Sequence, residues 1–393
     1  MKLKKYFADM HIHIGRDHNG KAVKITGAKS LTLTNILIEA SQNKGMDMVG
    51  VIDCHVPAVQ AEIRGLLNEG LAEELIDGGI RFETVTLIMG SEIEVYDENC
   101  KGPIHVLCFF PTLAAIGSFT QWLKNKMSNI NLSSQRYYGS VKALQYKVKE
   151  LSGIFIPAHI FTPFKSLYGK GVERSLEEVL DASLIDGVEL GLSSDTFMVN
   201  GIDELSGYTF LTNSDAHSLG KIGREYQEIR MEESTFKEFL WAIHQVDGRG
   251  INRNFGMNPR LGKYYHTVCK DCLNEASKTQ PCAYCGSLKR INGVKDRIQE
   301  LSGGHILPKR PPYIHQIPLE YIPTLGPKTY RKLLDIFGTE MDIIHQVESK
   351  ELKKVVPQKL VDAIIDNREG RLVISPGGGG KYGKVVSNRK ELK

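Results

Sequence analysis

Polar side chains that can bind metals follow a series of short apolar segments, and this recurrence constrains the fold more than any other feature. The first case is His11 and His13, at the end of an apolar run near the N-terminus. Because side chains alternate between the two faces of a strand, both imidazoles are expected to point the same way. The other cases are Asp53-Cys54-His55, Gly90-Ser91-Glu92, Ile104-His105-Val106, Ala158-His159 and Ser214-Asp215-Ala216-His217. This repetition predicts one metal site and argues against scattered surface histidines.

Residues 1–246 alternate between strand-like and helix-like segments. The predicted strands are Tyr6–Met10, Met48–Ile52, Phe82–Glu94, Ile104–Phe110, Gly153–Ala158, Gly187–Leu190 and Tyr208–Thr212. The predicted helices are Thr34–Lys44, Ala58–Ile76, Leu113–Met127, Ser140–Glu150, Ser175–Asp181 and Thr235–Gln245. Such alternation predicts an α/β fold with parallel strands and right-handed crossovers, either a barrel or an open sheet. In a barrel, the candidate ligands would gather at the carboxyl ends of the strands, where active sites are built.

Composition limits the class of protein. The 393 residues suffice for two or three domains, and a hydrophobic content of 41% is typical of a globular protein. The formal charge of +4 does not by itself indicate a nucleic-acid partner. The sequence has no apolar run of about 18 residues, the length needed to span a bilayer. The N-terminus lacks the apolar core of a signal peptide. We therefore expect a cytoplasmic protein without membrane contact. Three cysteines, Cys54, Cys100 and Cys108, are scattered along the chain, which fits a reducing compartment.

In their order along the chain, the five motifs His11-Ile12-His13, Asp53-Cys54-His55, Gly90-Ser91-Glu92, Ala158-His159 and Asn213–His217 resemble those of the PHP (polymerase and histidinol phosphatase) superfamily. The resemblance implies a distorted (β/α)7 barrel that holds two to three divalent ions, with Zn, Mn or Mg as candidates. It implies the following ligands: His11, His13, Asp17, His55, Glu92, His105, His159, Asp215 and His217. Two positions depart from the family pattern. Cys54 separates an Asp and a His that are often adjacent, and Asp17 comes one residue early, where His18 competes for its role.

The predicted ligand set favours hydrolysis at phosphorus. Histidines and carboxylates leave positions on a metal open for water and substrate oxygens, and a bound metal lowers the pKa of its water towards about 7. We assign the catalytic roles to Glu92, Asp215 and His217, with Glu92 as the bridging ligand because a carboxylate has two oxygens to share. Hydrolysis of another ester or of an amide stays an alternative, since a barrel does not determine its substrate.

A small zinc-binding module is predicted at residues 247–302, after a boundary in a segment rich in Gly, Asn and Arg. The cysteines form two C-x-x-C knuckles, Cys269–Cys272 and Cys282–Cys285, separated by nine residues. Four thiolates at this spacing predict one tetrahedral structural zinc. Arg260, Tyr264 and Tyr265 combine cations with aromatic rings and are candidates for binding DNA. The alternative is an ordinary solvated rim.

A helical region is predicted at residues 303–374, followed by a Gly-rich basic tail at 375–393. Leu325-Gly326-Pro327-Lys328 resembles the hairpin of a helix-hairpin-helix motif, in which Gly326, Lys328 and Lys332 would hold a DNA phosphate. A purely structural helical turn is the alternative. The tail carries Lys381 and Lys384 and predicts a flexible segment that binds nucleic acid. A nucleotide-binding P-loop is excluded because Tyr382 stands where Ser or Thr should coordinate magnesium.

The order of barrel, four-cysteine module, hairpin-bearing helices and basic tail resembles the endonuclease Q family over nearly the whole chain. The resemblance implies a repair endonuclease that cuts DNA on the 5′ side of deaminated bases or abasic sites. It implies double-stranded DNA with a damaged base as the partner, with single-stranded DNA as a second candidate, and it indicates no protein partner. Two alternatives remain open here: a phosphomonoesterase of the histidinol-phosphatase kind, and a non-catalytic DNA-binding adaptor.

Overall fold

The computed structural model describes residues 2–304, 307–378 and 381–386. Its strands in chain order are β1 Lys4–Ile12, β2 Met48–Val51, β3 Ala72–Glu74, β4 Ile80–Phe82, β5 Val85–Val95, β6 Ile104–Phe110, β7 Arg136–Tyr137, β8 Ile154–Pro157, β9 Gly187–Glu189, β10 Thr209–Leu211, β11 Tyr226–Met231, β12 Gly250–Gly256, β13 Val268–Cys269, β14 Arg290–Ile291, β15 Tyr313–His315, β16 Ile374–Ser375 and β17 Lys384–Val385. The seven strands predicted from the sequence are all present, with small shifts at their ends.

Seven of these strands form a distorted barrel. Strands β1, β2, β5, β6 and β8 pair in that order, and β9 pairs with β10. The Ile160 N–H donates to the Glu189 carbonyl at 2.9 Å, which joins the end of β8 to β9. The Ala216 N–H donates to the His11 carbonyl at 3.1 Å and closes the ring between β10 and β1. The predicted α/β fold with a distorted (β/α)7 barrel is thus confirmed.

The barrel is not uniformly parallel, and this corrects one expectation about the ligands. Strand β6 runs antiparallel to β5 and to β8, with Glu94 opposite His105. His105 therefore lies near the start of its strand, although we expected the ligands at carboxyl ends. Since β6 returns from the end of β5, its beginning lies at the same edge of the barrel as Glu92.

The helices lie between the strands and in the C-terminal third. They are α1 Leu33–Ile38, α2 Pro57–Asn68, α3 Leu113–Leu123, α4 Val141–Glu150, α5 Thr196–Val199, α6 Phe236–Ile243, α7 Val294–Leu301, α8 Pro327–Phe337, α9 Glu340–His345, α10 Ser349–Leu352 and α11 Gln358–Arg368. The predicted helix Ala58–Ile76 ends at Asn68, because Gly70 takes a left-handed conformation (φ 68°) and the chain then forms β3. The predicted helix Ser175–Asp181 is only a 3₁₀ turn, Leu176–Glu178. None of the helices in the described ranges is long and apolar enough to cross a membrane.

The barrel sheet extends beyond the predicted boundary at residue 247. Strand β12 pairs antiparallel with β11, which itself pairs with β1, and β15 adds to β12 in parallel. Residues assigned to the zinc module therefore belong to the sheet, and we propose to move this boundary to a position after Gly256.

The helical C-terminal region packs directly on the barrel. The ammonium of Lys44 lies 2.7 Å from a carboxylate oxygen of Glu340, and both side chains are 2% exposed. The His345 ring stacks on Phe7 at a centroid distance of 4.7 Å. These buried contacts fix the helical C-terminal region against the barrel.

Two C-terminal predictions need correction. Helix α8 begins at Pro327 as expected, but a 3₁₀ turn, Leu319–Tyr321, precedes the hairpin where a full helix was expected. The tail is predicted to be flexible, but its described part forms a two-stranded ribbon of β16 and β17. A hydrogen bond from the Gly377 N–H to the Arg260 carbonyl attaches this ribbon to the segment after β12. Residues 379–380 and 387–393 of the predicted tail lie outside the described residues.

Candidate metal centre

Seven predicted ligands from five different strands or strand ends meet at one edge of the barrel. Within the described ranges they form three overlapping groups, and the candidate ligand atoms of each lie within 4.8 Å of one another. The groups are His11, His13 and Glu92; His13, Asp215 and His217; and Glu92, His105 and His159. Counting the two shared residues, His13 and Glu92, once each gives seven side chains. Overlap of this kind is what adjacent metal ions with shared ligands require.

Glu92 lies at the middle of the centre. Its Oε1 is 2.7 Å from Nδ1 of His105 and 3.4 Å from Nε2 of His159, while its Oε2 is 3.6 Å from Nε2 of His13. Burial alone would raise the pKa of this carboxyl, but the contacts with His105 and Lys24 outweigh it and hold the pKa well below its usual range. The carboxylate is therefore ionised, and its two oxygens face two different groups.

Asp215 lies at the outer side of the centre. Its Oδ1 is 3.2 Å from Nε2 of His217 and 3.5 Å from Nε2 of His13. Burial raises the pKa of Asp215, but its interactions with His11 and His217 lower it well below the ordinary value. Asp215 and His159 both have left-handed backbones, with φ of 46° and 31°. Such conformations are uncommon outside glycine, and they turn the two side chains toward the ligand groups in the segments that follow β10 and β8.

Four of the histidines share one orientation. Their Nε2 atoms face the carboxylates of the centre, while each Nδ1 contacts a partner behind it. These partners are Glu189 for His11 (2.9 Å), Asp53 for His13 (3.1 Å), Thr162 for His159 (2.9 Å) and Thr26 for His217 (3.3 Å). Outer hydrogen bonds of this kind select the tautomer with a free Nε2 and fix the ring of a metal ligand.

The residues present fit a divalent metal. Nε2 of His11 is buried and has no hydrogen-bond partner among the described residues. Leaving a buried polar atom without a partner is costly, and a metal ion would satisfy it. Ionised carboxylates beside several correctly oriented imidazoles are a donor set for ions of the Zn or Mn type.

Two predicted ligands do not join the groups. The Asp17 carboxylate accepts hydrogen bonds from the N–H groups of Asn19 and Lys21, both at 2.9 Å, and so holds a turn. Both ring nitrogens of His55 are engaged, Nδ1 with the Ser91 hydroxyl at 2.8 Å and Nε2 with the Leu132 carbonyl at 3.3 Å. We therefore leave Asp17 and His55 out of the proposed ligand set.

Sequence reasoning missed the residues behind the ligands and one residue among them. Glu189 lies one residue before the end of the predicted strand Gly187–Leu190, close to the signal that identified His159, but it matched no motif. Lys24 lies on a loop without periodicity, and its Nζ is 3.2 Å from Nε2 of His13. Nothing in the local sequence indicates that this lysine enters the centre.

The four cysteines form a separate group. Sγ of Cys269 is 3.5 Å from that of Cys285, and Sγ of Cys272 is 3.6 Å from that of Cys282. A tetrahedral zinc with bonds of about 2.3 Å separates its sulfurs by about 3.8 Å, so the spacing fits this ion. Hydrogen bonds from the Asn274 N–H and side chain lower the pKa of the Cys272 thiol to about 6, which favours the thiolate a metal needs.

The predicted DNA-binding residues occupy three surfaces. Tyr264 packs edge-on against Phe164 at a centroid distance of 5.6 Å, and Tyr265 and the exposed Arg260 lie nearby in sequence. Lys381 and Lys384 are exposed on the ribbon beside Arg260. Gly326 and Lys328 are exposed at the start of α8, whereas the Lys332 ammonium donates to the Val355 carbonyl at 3.2 Å. Binding of DNA by these residues stays a prediction.

The chain is similar to known proteins in both its sequence and its structure. Residues 204–246 match a family model described as PHP-associated. The uncharacterized protein YqxK of Bacillus subtilis is 53% identical over 98% of this chain and 100% of its own length. The crystal structure of the lesion-specific endonuclease PfuEndoQ from Pyrococcus furiosus is 31% identical, covers 99% of this chain and 97% of that one, and has a TM-score of 0.84. A complex of endonuclease Q with a 27-mer duplex bearing an abasic lesion at its active site is 31% identical, covers 99% and 98% of the two chains, and has a TM-score of 0.83.

Proposed function

We propose a substrate and a division of labour for this chain, which belongs to the endonuclease Q family and is a metal-dependent DNA endonuclease. Its substrate is duplex DNA with a deaminated base or an abasic site, cut at the phosphodiester on the 5′ side of the lesion. Single-stranded DNA with the same lesions is a second substrate, and the cytoplasm is the expected location. The observation that carries this proposal is the similarity along the whole chain to a structure with an abasic duplex at its active site.

The metal centre supplies the hydrolytic machinery in this proposal. Divalent ions, two or three in number and of the Zn, Mn or Mg type, would polarise the phosphate and lower the pKa of a bound water. His11, His13, His159 and His217 would present Nε2 to them, and His105 would complete the set. Glu92 would be shared between neighbouring ions, because its two oxygens face different groups.

The protein's own groups fix this arrangement before the substrate arrives. Glu189 and Asp53 hold the rings of His11 and His13 from behind. Asp215 and His217 are each about one-third exposed at the side-chain level, so they form the open side of the centre. We assign them to the side from which the phosphodiester enters.

The surfaces outside the barrel would hold the strand. Phosphate contacts fix the register of a protein on DNA without regard to sequence, and aromatic faces stack on bases. We assign the phosphates to Arg260, Lys328, Lys332, Lys381, Lys384 and the amides at Gly326, and the stacking to Tyr264 and Tyr265. The four-cysteine group would hold one structural zinc that orders the module carrying these tyrosines.

The test uses purified protein with one added metal at a time and 5′-labelled duplexes. The duplexes contain uracil, hypoxanthine, an abasic site or no lesion, and the product length gives the position of the cut. We expect cleavage 5′ of each lesion and none of the undamaged duplex. A protein that releases phosphate from a small phosphomonoester but leaves every duplex intact would instead be a phosphomonoesterase. A protein that binds the lesion duplex but cuts nothing with any metal would be an adaptor.

A further inference from the structure

Lys24 places a positive charge among the candidate metal ligands. Its Nζ lies 3.2 Å from Nε2 of His13 and 3.4 Å from Oε2 of Glu92, and it donates to the Ser134 hydroxyl at 2.6 Å. The side chain is only 16% exposed. An ammonium at this position is therefore part of the centre and not of the surrounding surface.

The loop that carries Lys24 is fixed to the centre on both sides. The Ser133 N–H donates to the Val23 carbonyl at 2.9 Å, directly before Lys24. Two residues after Lys24, the Thr26 hydroxyl contacts Nδ1 of His217 at 3.3 Å. Ile25, between these two anchors, is 74% exposed and lies at the rim. The backbone thus directs Lys24 inward at the mouth where a substrate would arrive.

In this structure Lys24 pairs with the Glu92 carboxylate, but its electrostatics would become unfavourable once a divalent ion binds that carboxylate. Its contacts, Nε2 of His13 and Oε2 of Glu92, are atoms that a divalent ion would also use. A bound ion and the ammonium would repel each other across a few ångströms in a mostly buried site. Of the three contacts of Lys24, only the Ser134 hydroxyl is free of a proposed ligand role. A phosphate oxygen beside both cations would turn this repulsion into attraction.

We propose that Lys24 is a catalytic residue that binds a non-bridging oxygen of the scissile phosphate, with Ser134 as the residue that positions its ammonium. This inference rests on the proposed function and adds a substrate contact to it. Lysine binds phosphate as a mobile point charge on a flexible stem, so it could leave His13 and Glu92 to the metals while keeping Ser134. A positive charge held by Ser134 beside this oxygen would stabilise the negative charge that develops there during displacement.

The first test compares Lys24→Met and Lys24→Arg with a matched control, Lys21→Met, which removes an exposed lysine of the same loop. Single-turnover cleavage of an abasic duplex is measured with saturating protein, together with metal content and DNA affinity. We expect Lys24→Met to slow cleavage by about 100-fold or more while retaining its metals. Lys24→Arg should recover part of the rate, and Lys21→Met should behave as the wild type. Cleavage by Lys24→Met at the wild-type rate would overturn the proposal.

The second test separates contact with phosphate from a structural role. Each non-bridging oxygen of the scissile phosphate is replaced in turn by sulfur, which an ammonium binds less well. If Lys24 touches one of these oxygens, that replacement slows the wild type more than it slows Lys24→Met, because the variant has no contact to lose. Equal effects of sulfur in both proteins would show that Lys24 acts only on the structure. A wild-type protein that cuts no lesion duplex would instead contradict the proposed function itself.

Discussion

The metal centre of the barrel and the four-cysteine group are two candidate metal sites built in opposite ways. The centre collects ligands between His11 and His217, so its geometry depends on the closure of the whole barrel. The cysteines lie between Cys269 and Cys285, and their knuckles are formed by local hydrogen bonds such as that from the Leu273 N–H to the Cys269 carbonyl. The barrel core therefore supplies the order of the first site, whereas the proposed zinc would supply much of the order of the second.

This difference indicates a catalytic role for the site in the barrel and a structural role for the four-cysteine group. A site held by a rigid core can leave coordination positions open, because the fold does not depend on the ion. A site that orders its own module needs all four ligands on the ion and has no position for a substrate. Removal of a ligand should therefore stop catalysis in the barrel and unfold the chain locally in the module.

The largest effect that tests this contrast is the loss of cleavage in Asp215→Asn. The amide keeps the size of the side chain but removes the negative charge shared by His13 and His217. We expect cleavage of an abasic duplex to fall to background, with unchanged thermal stability and nearly unchanged DNA affinity, since the proposed phosphate contacts lie elsewhere. The control is Asp77→Asn, which alters an exposed ion pair with Lys237. Substantial cleavage by Asp215→Asn would show that the active site is misplaced.

The next effect concerns the module. Cys269→Ser should release about one zinc per chain and disorder the segment around β13 and β14, while the barrel keeps its ions. The measurement combines metal analysis with hydrogen exchange of the backbone amides, and Ser287→Ala, on the same module, is the control. An unchanged zinc content would refute the four-thiolate assignment, and loss of the barrel's ions would refute the independence of the two sites.

The same contrast explains what the sequence could and could not predict. The cysteine spacing is local, so the pattern alone identified all four residues that the structure groups together. The ligands of the centre were found because each lies at or near an end of a strand-like apolar run, a signal repeated along the chain. His55 satisfied the same signal, yet its ring turns to Ser91 and Leu132. A strand pattern gives the edge of the barrel but not the rotamer that packing selects.

Lys24 and Glu189 show the complementary failure. Lys24 reaches the centre from an irregular loop whose path is set by contacts with Ser133 and His217, more than 100 residues away in the chain. Glu189 lies behind His11 only because β9 and β10 close the ring onto β1. Both positions follow from closure of the barrel, and closure is a property of the whole fold.

A smaller effect is expected when a residue that contacts Nδ1 of a ligand histidine is replaced. Only the metal centre of the barrel requires such partners. Asp53→Asn leaves an amide beside Nδ1 of His13, so the ring loses the carboxylate that selects its tautomer. Such outer-partner changes cost roughly 10–100-fold in metal affinity or activity. The measurement is the metal concentration needed for half-maximal cleavage, with Asp77→Asn again as the control. If Asp53→Asn needs no more metal than the wild type, the contact between Asp53 and Nδ1 of His13 is not what keeps the centre ready for its metals.

The smallest effect concerns a contact outside both metal sites. The N-terminus of α8 is exposed and no described side chain caps it, so its amides and Lys328 are available to a phosphate. Neutralising a phosphate releases counterions, and each contact contributes roughly 0.9 to the slope of log affinity against log salt. Lys328→Ala should therefore flatten this slope by about that amount on damaged and undamaged duplexes alike. Lys332→Ala should do less, because its ammonium is engaged by Val355.

Point variants are the appropriate test of this surface. Truncating the helical region would expose the barrel face that Glu340 and His345 cover, and any loss of binding could then reflect a damaged barrel. Lys237→Ala, an exposed lysine on α6 of the barrel, is the matched control. Preference for the lesion should survive in Lys328→Ala, because phosphate contacts position the strand without reading its bases. If lesion preference falls and the salt slope does not change, the start of α8 recognises the damage, and the division between the barrel and the C-terminal third is wrong.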